Sequence, residues 1–200
     1  MVFCDKEQCK MNRSVRRTQR ELRRSLLELI KEKPIMRITA KEIYERADIG
    51  RTTFYAHYKD QFDILNEIEQ KTIEKFEEIL KKHEVDKKAS SKEIVETAIE
   101  ILKEIADNLS ILNILLSENG NIIFQKKFYR HFIAHYQKKI QKKSDYPEDT
   151  HMHECYSVFL VNGYIGLIQH WLKNDKNIPV PVLAKMLVNL TKDIDQRYNV

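Results

Sequence analysis

Residues 38–60, ITAKEIYERADIGRTTFYAHYKD, contain two short helical patterns joined by a tight turn. Thr39 and the glutamate three positions later have the spacing of a capping box, which predicts that a helix starts at Thr39. Asp48 stands at the turn, where an Asp side chain tolerates left-handed backbone geometry. Phe54 and Tyr58 lie four residues apart and give the second helix a buried stripe. This layout is typical of a helix-turn-helix that binds DNA.

The second helix carries polar and charged residues on the face opposite its apolar stripe. A recognition helix divides such residues between base edges and phosphates. The expected base contacts are Arg51, Thr52, Thr53 and Ala56, and the expected phosphate contacts are Tyr55, His57, Lys59 and Thr39. Arg51 fits either a guanine or a phosphate. Lys41, Arg16 and Arg17 complete the predicted DNA-binding set.

Positive charge is concentrated at the same end of the chain. Residues 1–60 contain 15 Lys and Arg against 9 Asp and Glu, whereas residues 61–200 contain 20 against 21. Between residues 10 and 24, seven cations accompany a single acid, Glu21. A solvated charged face is the alternative interpretation of such a cluster. Because the cluster adjoins the helix-turn-helix, we expect it to neutralise DNA phosphates.

Over about residues 16–65 the chain resembles the TetR/AcrR family of bacterial regulators. The positions that match the family pattern are Thr39, Ile43, Ala47, Ile49, Phe54, Tyr55 and His57. Tyr58 replaces the usual Phe, Asp48 the usual Gly, and Gly50 the usual Ser or Asn. Gln61 stands where many members have Lys. The stretch NGYIGLIQHWLKND at 162–175 is similar to a subgroup that includes dihydroxyacetone-kinase regulators. The resemblance implies a dimer formed through the last two helices and a small-molecule site inside a helical body.

Composition favours an all-α fold. The chain has only four Gly and four Pro, is 42% hydrophobic, and lacks the Val-rich alternating runs that indicate strands. About nine helices are predicted, the first from about Val15 to Glu32. We expect a flexible basic arm at 1–14, the DNA-binding head at 15–60, and a helical effector-binding and dimerisation body at 61–200.

The segment Val158–Ile168 is apolar on nearly all sides, unlike a surface helix of a monomer. Gly163 and Gly166 within it each lower helix propensity by about 1 kcal/mol against Ala, which a close helix–helix approach would explain. With the last helix, this segment predicts a twofold interface between two copies. The alternative is that both helices are simply core. The predicted interface residues are Gly163, Gly166, Leu167, Trp171, Leu183, Leu187 and Leu190.

Aromatic residues recur at four-residue spacing in the second half of the chain. The candidate ligand-pocket residues are Phe124, Phe128, Phe132, Tyr136, Tyr156 and Phe159. Ordinary core packing is the competing explanation for each of them. The sequence shows no concentrated charge that would name a ligand.

Other chemistry has little support in the sequence. His151, His153 and Cys155 form H-x-H-x-C, but alternate positions of a helix point to different sides, so we expect no metal site. No Gly-rich phosphate loop, nucleophile elbow or H-E-x-x-H motif occurs. We therefore predict no catalytic residues, no cofactor and no enzyme activity. The N-terminus lacks a secretory signal, no segment is apolar enough to span a membrane, and a cytoplasmic location is expected.

The leading hypothesis is a transcriptional regulator that binds double-stranded DNA at a palindromic operator as a homodimer. In the main version of this hypothesis the protein is a repressor, and a small-molecule effector relieves the repression. The alternative within this class is an activator that senses its signal through a partner protein. From a different class, a helical enzyme or a metal-binding bundle with a DNA-binding head stays open.

Overall fold

Helix α1 spans Lys6–Glu32 and ends two residues before Pro34, whose ring and missing N–H cannot continue a helix. It buries four aliphatic side chains at helical spacing, Leu22, Leu26, Leu29 and Ile30. Its start at Lys6 is nine residues earlier than the predicted Val15, so residues 6–14 of the expected arm are helical. That stretch contains no Gly or Pro and consists mainly of residues with good helix propensity. Residues 1–5 of the expected arm lie outside the described part of the chain.

The computed structural model describes residues 6–83, 89–108, 111–141, 150–174 and 177–198. After α1 and a single 3₁₀ turn at Ile35–Arg37 come α2 Ala40–Arg46, α3 Arg51–His57, α4 Gln61–Lys82, α5 Ser91–Asn108, α6 Leu112–Leu115, α7 Ile122–Gln141, α8 Thr150–Lys173 and α9 Val180–Tyr198. These described residues form nine α-helices and no strand, which confirms the all-α prediction. None of the described helices is long and apolar enough to cross a membrane.

The helix-turn-helix forms as its sequence predicts. The Thr39 side chain accepts a hydrogen bond from the Glu42 N–H, and the Glu42 carboxylate accepts one from the Thr39 N–H, so the capping box is complete. Asp48 has a φ of 54°, the left-handed geometry that lets the chain turn sharply after α2. Gly50 is the N-cap of α3 in extended conformation. The capping box thus fixes the start of α2, and Asp48 and Gly50 shape the turn into α3.

The first compact unit comprises the residues up to Lys71 together with Ile114–Asn121. The later segment joins it through a hydrogen bond from the Ile35 N–H to the Asn119 carbonyl at 3.0 Å. A Cβ atom on Gly120 would lie 2.1 Å from the Leu115 carbonyl oxygen, so this tight approach requires glycine. The unit is therefore larger than the head predicted from residues 15–60.

The second compact unit comprises Thr72–Asn113 and Ile122–Val200. Within it α5 packs against α9, and α7 packs against α8. Phe76 of α4 contacts two rings of α7, with ring centroids 5.7 Å from Phe128 and 4.6 Å from Phe132. Trp171 of α8 is buried, and its indole Nε1–H donates to the Ile178 carbonyl at 2.7 Å. The unit is thus built around aromatic side chains that several helices supply.

Candidate nucleic-acid interface and body cavity

Helix α3 is anchored by two buried aromatic residues. Phe54 is fully buried and Tyr58 is 6% exposed. The predicted base-contacting residues Arg51, Thr52, Thr53 and Ala56 are all exposed, as are Tyr55 and Lys59, and His57 is half-buried. The Arg51 guanidinium carbon lies 5.8 Å from the centroid of the Tyr55 ring, a cation–π arrangement on the open face. The helix therefore presents a mainly polar exposed face above a fixed apolar anchor.

The start of α2 lies in the same compact unit and combines a helix cap with surface charge. Besides capping, the Thr39 hydroxyl donates to the Glu42 carboxylate at 3.0 Å, so its first role is structural. Hydrogen bonds from Lys33 and from Thr39 lower the pKa of Glu42 to about 2, which keeps the cap ionised. Lys41 is 70% exposed and lies 3.7 Å from Glu45, a surface pair that contributes little to stability. Its ammonium group remains accessible to a phosphate.

Two kinds of arginine occur in the first unit. Arg16 and Arg17 are exposed on α1. Arg46 instead forms two hydrogen bonds with the Glu32 carboxylate, at 2.5 and 3.0 Å. Arg23 is directed toward α4 and donates to Glu67 at 2.7 Å. The basic residues therefore divide into arginines that stabilise the unit and arginines that can meet a phosphate.

Glu67 is a central residue that the sequence analysis missed. Its carboxylate accepts hydrogen bonds from the Tyr58 hydroxyl at 2.5 Å, from Arg23 and from the Lys71 ammonium at 2.5 Å. Partial burial raises the pKa of Glu67, but these hydrogen bonds and the charge of Arg23 outweigh it and hold the pKa below its ordinary range. Burial and the neighbouring carboxylate raise the pKa of Tyr58. The available signal was the Tyr at 58 where the family usually has Phe.

The second unit contains a partly open cavity of about 350 Å³ between α4, α5, α7, α8 and α9. Two of the predicted pocket residues, Phe132 and Tyr136, form part of its wall. Most of the remaining wall is aliphatic or aromatic and includes Phe76, Leu80, Ile101, Ile105, Val161 and Ile165. The polar residues of the described wall are His135, Tyr136, Tyr164, Thr191 and Lys192. The cavity is thus mainly apolar and has a small polar region.

The other four predicted pocket residues lie elsewhere. Phe124 and Phe128 are 1% and 0% exposed and pack in the core, because the early turns of α7 face other rings. Tyr156 is buried against Leu160. Phe159 is 63% exposed, because it lies on the side of α8 opposite the buried residues Leu160 and Val161. The four-residue spacing identified a packed face but not which part of it adjoins empty space.

Helices α8 and α9 have different inner and outer faces. Of the predicted interface residues, Trp171, Leu183 and Leu187 are buried within the subunit, so these three are corrected to core positions. The exposed apolar side chains on the two helices are Val158, Phe159, Val182, Met186 and Leu190. Gly163 and Gly166 are not buried, Leu167 is half-buried, and a Cβ atom on either glycine would meet nothing within 4 Å. Packing within the subunit therefore gives no reason for these glycines.

The candidate metal ligands do not form a cluster in the described part of the chain. Cys155 is exposed, and the side chain of His153 lies outside the described residues. His131 Nε2 lies 2.5 Å from the Glu77 carboxylate, and His135 adjoins the cavity. No group of three His, Cys, Asp or Glu side chains with metal-binding geometry occurs in the described part of the chain.

A match over the C-terminal half of the chain identifies its family. A TetR family model described as a transcriptional regulator C-terminal region matches residues 92–193, slightly more than half of the chain. The chain belongs to the TetR/AcrR family of transcriptional regulators. It is 38% identical over 48 residues to YxbF of Bacillus subtilis (strain 168), named an uncharacterized HTH-type transcriptional regulator. That match covers 24% of this chain and 13% of YxbF, so the chain corresponds to a small part of that protein's length.

Solved structures share the TetR fold with this chain. A putative TetR-family regulator from Syntrophomonas wolfei has a TM-score of 0.64 at 18% identity, over 88% of this chain and 94% of that one. A TetR regulator from Streptococcus agalactiae 2603V has a TM-score of 0.60 at 22% identity, over 91% and 97%. The regulator FadR from Bacillus subtilis, in complex with stearoyl-CoA, has a TM-score of 0.51 at 18% identity, over 85% and 95%. At these identities the likeness establishes the architecture.

Proposed function

We propose that this TetR/AcrR regulator is a cytoplasmic homodimer that binds a palindromic operator and represses transcription until an effector enters its body cavity. The observation that supports this most directly is the polar face of α3, exposed on a helix whose opposite side is fixed by Phe54 and Tyr58. A helix of this kind fits the major groove, where side chains distinguish base pairs by hydrogen bonds and methyl contacts.

The residues of the head divide by the chemistry that each can offer DNA. Arg51, Thr52 and Thr53 have donors or acceptors for base edges, and the Ala56 methyl group can contact a thymine methyl. Tyr55, His57 and Lys59 can donate to phosphate oxygens and so set the position of the helix. Thr39 and Lys41 at the start of α2, with Arg16 and Arg17 on α1, supply further phosphate contacts. These contacts are sequence-independent and weaken as salt concentration rises.

The dimer is proposed to form through the outer faces of α8 and α9. On α8 the positions Phe159, Gly163 and Gly166 lie within one helical stripe, opposite the side chains that pack inside the subunit. On α9 the exposed apolar side chains include Met186 and Leu190. A second copy is the occupant that accounts for the glycines, because a helix crossing closely needs a surface without side chains there. Two heads joined in this way can enter successive major grooves about 34–36 Å apart, or a multiple of that.

An effector in the cavity would act on DNA binding only if it binds one arrangement of the dimer better than the other. Phe76 and Leu80 of α4 form part of the cavity wall, and the same helix begins directly after the recognition helix. Helix α4 is therefore the element through which cavity occupancy can change the separation of the heads. FadR of Bacillus subtilis, which shares the fold, forms a complex with stearoyl-CoA. That complex supports an effector with a long apolar part.

The test is selection of operator sequences from random duplex DNA, followed by measurement of the mass of the complex. An enriched inverted repeat, bound by two subunits, supports the proposal. Enrichment of a single asymmetric site bound by one subunit would contradict the dimer, and no enrichment would contradict sequence-specific binding. A reporter placed behind the selected site then separates the two modes, because loss of the protein raises expression under a repressor and lowers it under an activator.

A further inference from the structure

The polar residues of the cavity wall contain one formal charge. Lys192 of α9 is the only Lys, Arg, Asp or Glu among the described residues that line the cavity. Its ammonium nitrogen donates to the Ser91 hydroxyl of α5 at 2.6 Å. One residue earlier on α9, the Thr191 hydroxyl hydrogen-bonds the Tyr164 hydroxyl of α8 and donates to the Leu187 carbonyl at 2.9 Å. The cation and the two hydroxyls therefore lie in the same region of the wall.

This arrangement leaves an ammonium group with capacity to bind an anion. A lysine ammonium has three donors, and the described contact with Ser91 is to a neutral acceptor. Lys192 is half-buried and its contact with Ser91 is solvent-exposed, so the ammonium group lies at the edge of the cavity, where an incoming anion can reach it. No carboxylate of the described residues lines the cavity, so a ligand can supply the opposite charge. A carboxylate would form a charge-assisted hydrogen bond, which is stronger than one between neutral groups.

We propose that the effector is a monoanionic amphiphile whose carboxylate binds Lys192 and whose apolar tail lies along Phe76, Ile101 and Ile165. This inference rests on the proposed function, because it specifies the ligand of the effector cavity. One non-hydrogen atom with its hydrogens occupies about 30 Å³, roughly the volume of a water molecule in the liquid. The cavity of about 350 Å³ therefore holds about a dozen such atoms. That size matches a carboxylic acid with roughly ten carbons. A cationic amphiphile would place like charges together, and a neutral one would leave Lys192 without a counter-charge.

The experiment measures binding of decanoate, 1-decanol and decylamine to the full chain by titration calorimetry below their aggregation concentrations. Decanoate should bind about 10-fold or more tightly than 1-decanol, since a hydrogen bond to a charged group contributes that much, and decylamine should bind weakest. In Lys192→Met the decanoate preference should vanish while 1-decanol binding stays unchanged. Lys192→Arg should keep the preference, because its charge remains.

The matched control is Lys185→Met, which removes a cation from an exposed position of the same helix. It should leave all three affinities unchanged. Equal binding of decanoate and 1-decanol by the unmodified protein, or an unchanged preference in Lys192→Met, would overturn the proposal. Failure of all three ligands to bind would overturn it together with the effector role of the cavity. Operator binding by the ligand-free protein is measured in parallel, so a failure of the DNA-binding proposal is recognised separately.

Discussion

The recognition helix and the body cavity use opposite strategies to present functional side chains. In α3, residues 51–57 are consecutive, most of them are exposed, and two buried rings orient the whole set. The cavity wall is assembled from five helices between Phe76 and Lys192, and eight of its 18 described residues are also part of the buried core. Surface residues of the head can therefore change without loss of folding, whereas the buried residues of the cavity wall affect ligand binding and stability together.

Helix α8 contains the same contrast within a single element. One side contributes Tyr164 and Ile165 to the cavity wall, and the other presents Phe159, Gly163 and Gly166. Because the two faces are separate, substitutions on the outer side can alter dimer formation without altering the cavity. Effects at the surface of the molecule can therefore be measured apart from effects inside it.

The largest effect is expected from Gly163→Leu. A Cβ at this position has open space within the subunit, so the fold should persist, while the larger side chain should hold two copies of α8 apart. A monomer engages one half-site instead of two, so operator binding should weaken by about 10²–10⁴-fold. Sedimentation velocity should show monomers, and circular dichroism should show unchanged helix content.

A matched control for this substitution is Glu96→Leu, which adds the same side chain at an exposed position of α5. It should leave a dimer with normal operator affinity. If Gly163→Leu also sedimented as a dimer and bound the operator normally, the proposed interface would be misplaced.

The next effect concerns the division of labour on α3. Thr53→Ala should reduce discrimination at one base pair by about 1–3 kcal/mol, because the hydroxyl that is proposed to meet a base edge is absent. Tyr55→Phe removes a donor proposed for phosphate and should weaken specific and nonspecific DNA binding alike. Binding is measured on the selected operator, on its single-base variants and on random DNA. The assignment fails if Tyr55→Phe alters base preference while Thr53→Ala leaves it intact.

A smaller effect is expected from the α1 arginines. The pair of substitutions Arg16→Gln and Arg17→Gln should reduce the slope of log K against log salt concentration by about 0.9 for each phosphate that is no longer neutralised. The control is Arg130→Gln, which removes a positive charge from an exposed position of α7 in the second unit. A slope that stays constant, or that responds equally to Arg130→Gln, would show that the two arginines do not reach the phosphate backbone.

Features that depend on neighbouring residues could be predicted from the sequence. The capping box at Thr39, the left-handed Asp48 and the buried Phe54 follow from side-chain chemistry within a few positions. The end of α1 near Pro34 follows in the same way. In each case the determining residues are close together in the chain, so a pattern is sufficient.

Features that depend on distant segments could not be predicted. The attachment of Ile114–Asn121 to the first unit requires the Ile35–Asn119 hydrogen bond, which joins residues far apart in the chain. The proximity of Ser91 to Lys192 also appears only after folding, so the polar region of the cavity was invisible in the sequence. Burial of Trp171 and Leu183 depends on which side of each helix faces the body, and an all-round apolar pattern does not specify that side.

The smallest effect concerns the Tyr58–Glu67 hydrogen bond, which anchors the end of the recognition helix to α4. Tyr58→Phe keeps the buried ring but removes the hydroxyl that donates to Glu67, and should lower the free energy of unfolding by about 1 kcal/mol at pH 7. The folded-state pKa of Glu67 lies below its ordinary 4.5, so its stabilising contribution is complete above that pH and is lost as pH falls through the lower folded value. The difference between the two proteins should therefore shrink in acid. Urea unfolding at pH 7 and at successive lower pH values measures this difference.

Tyr44→Phe is the control, since the half-buried Tyr44 ring packs on Phe54 and its hydroxyl has no hydrogen bond among the described residues. Equal decreases in the two variants, constant across pH, would mean that the hydroxyl of Tyr58 adds nothing beyond its ring.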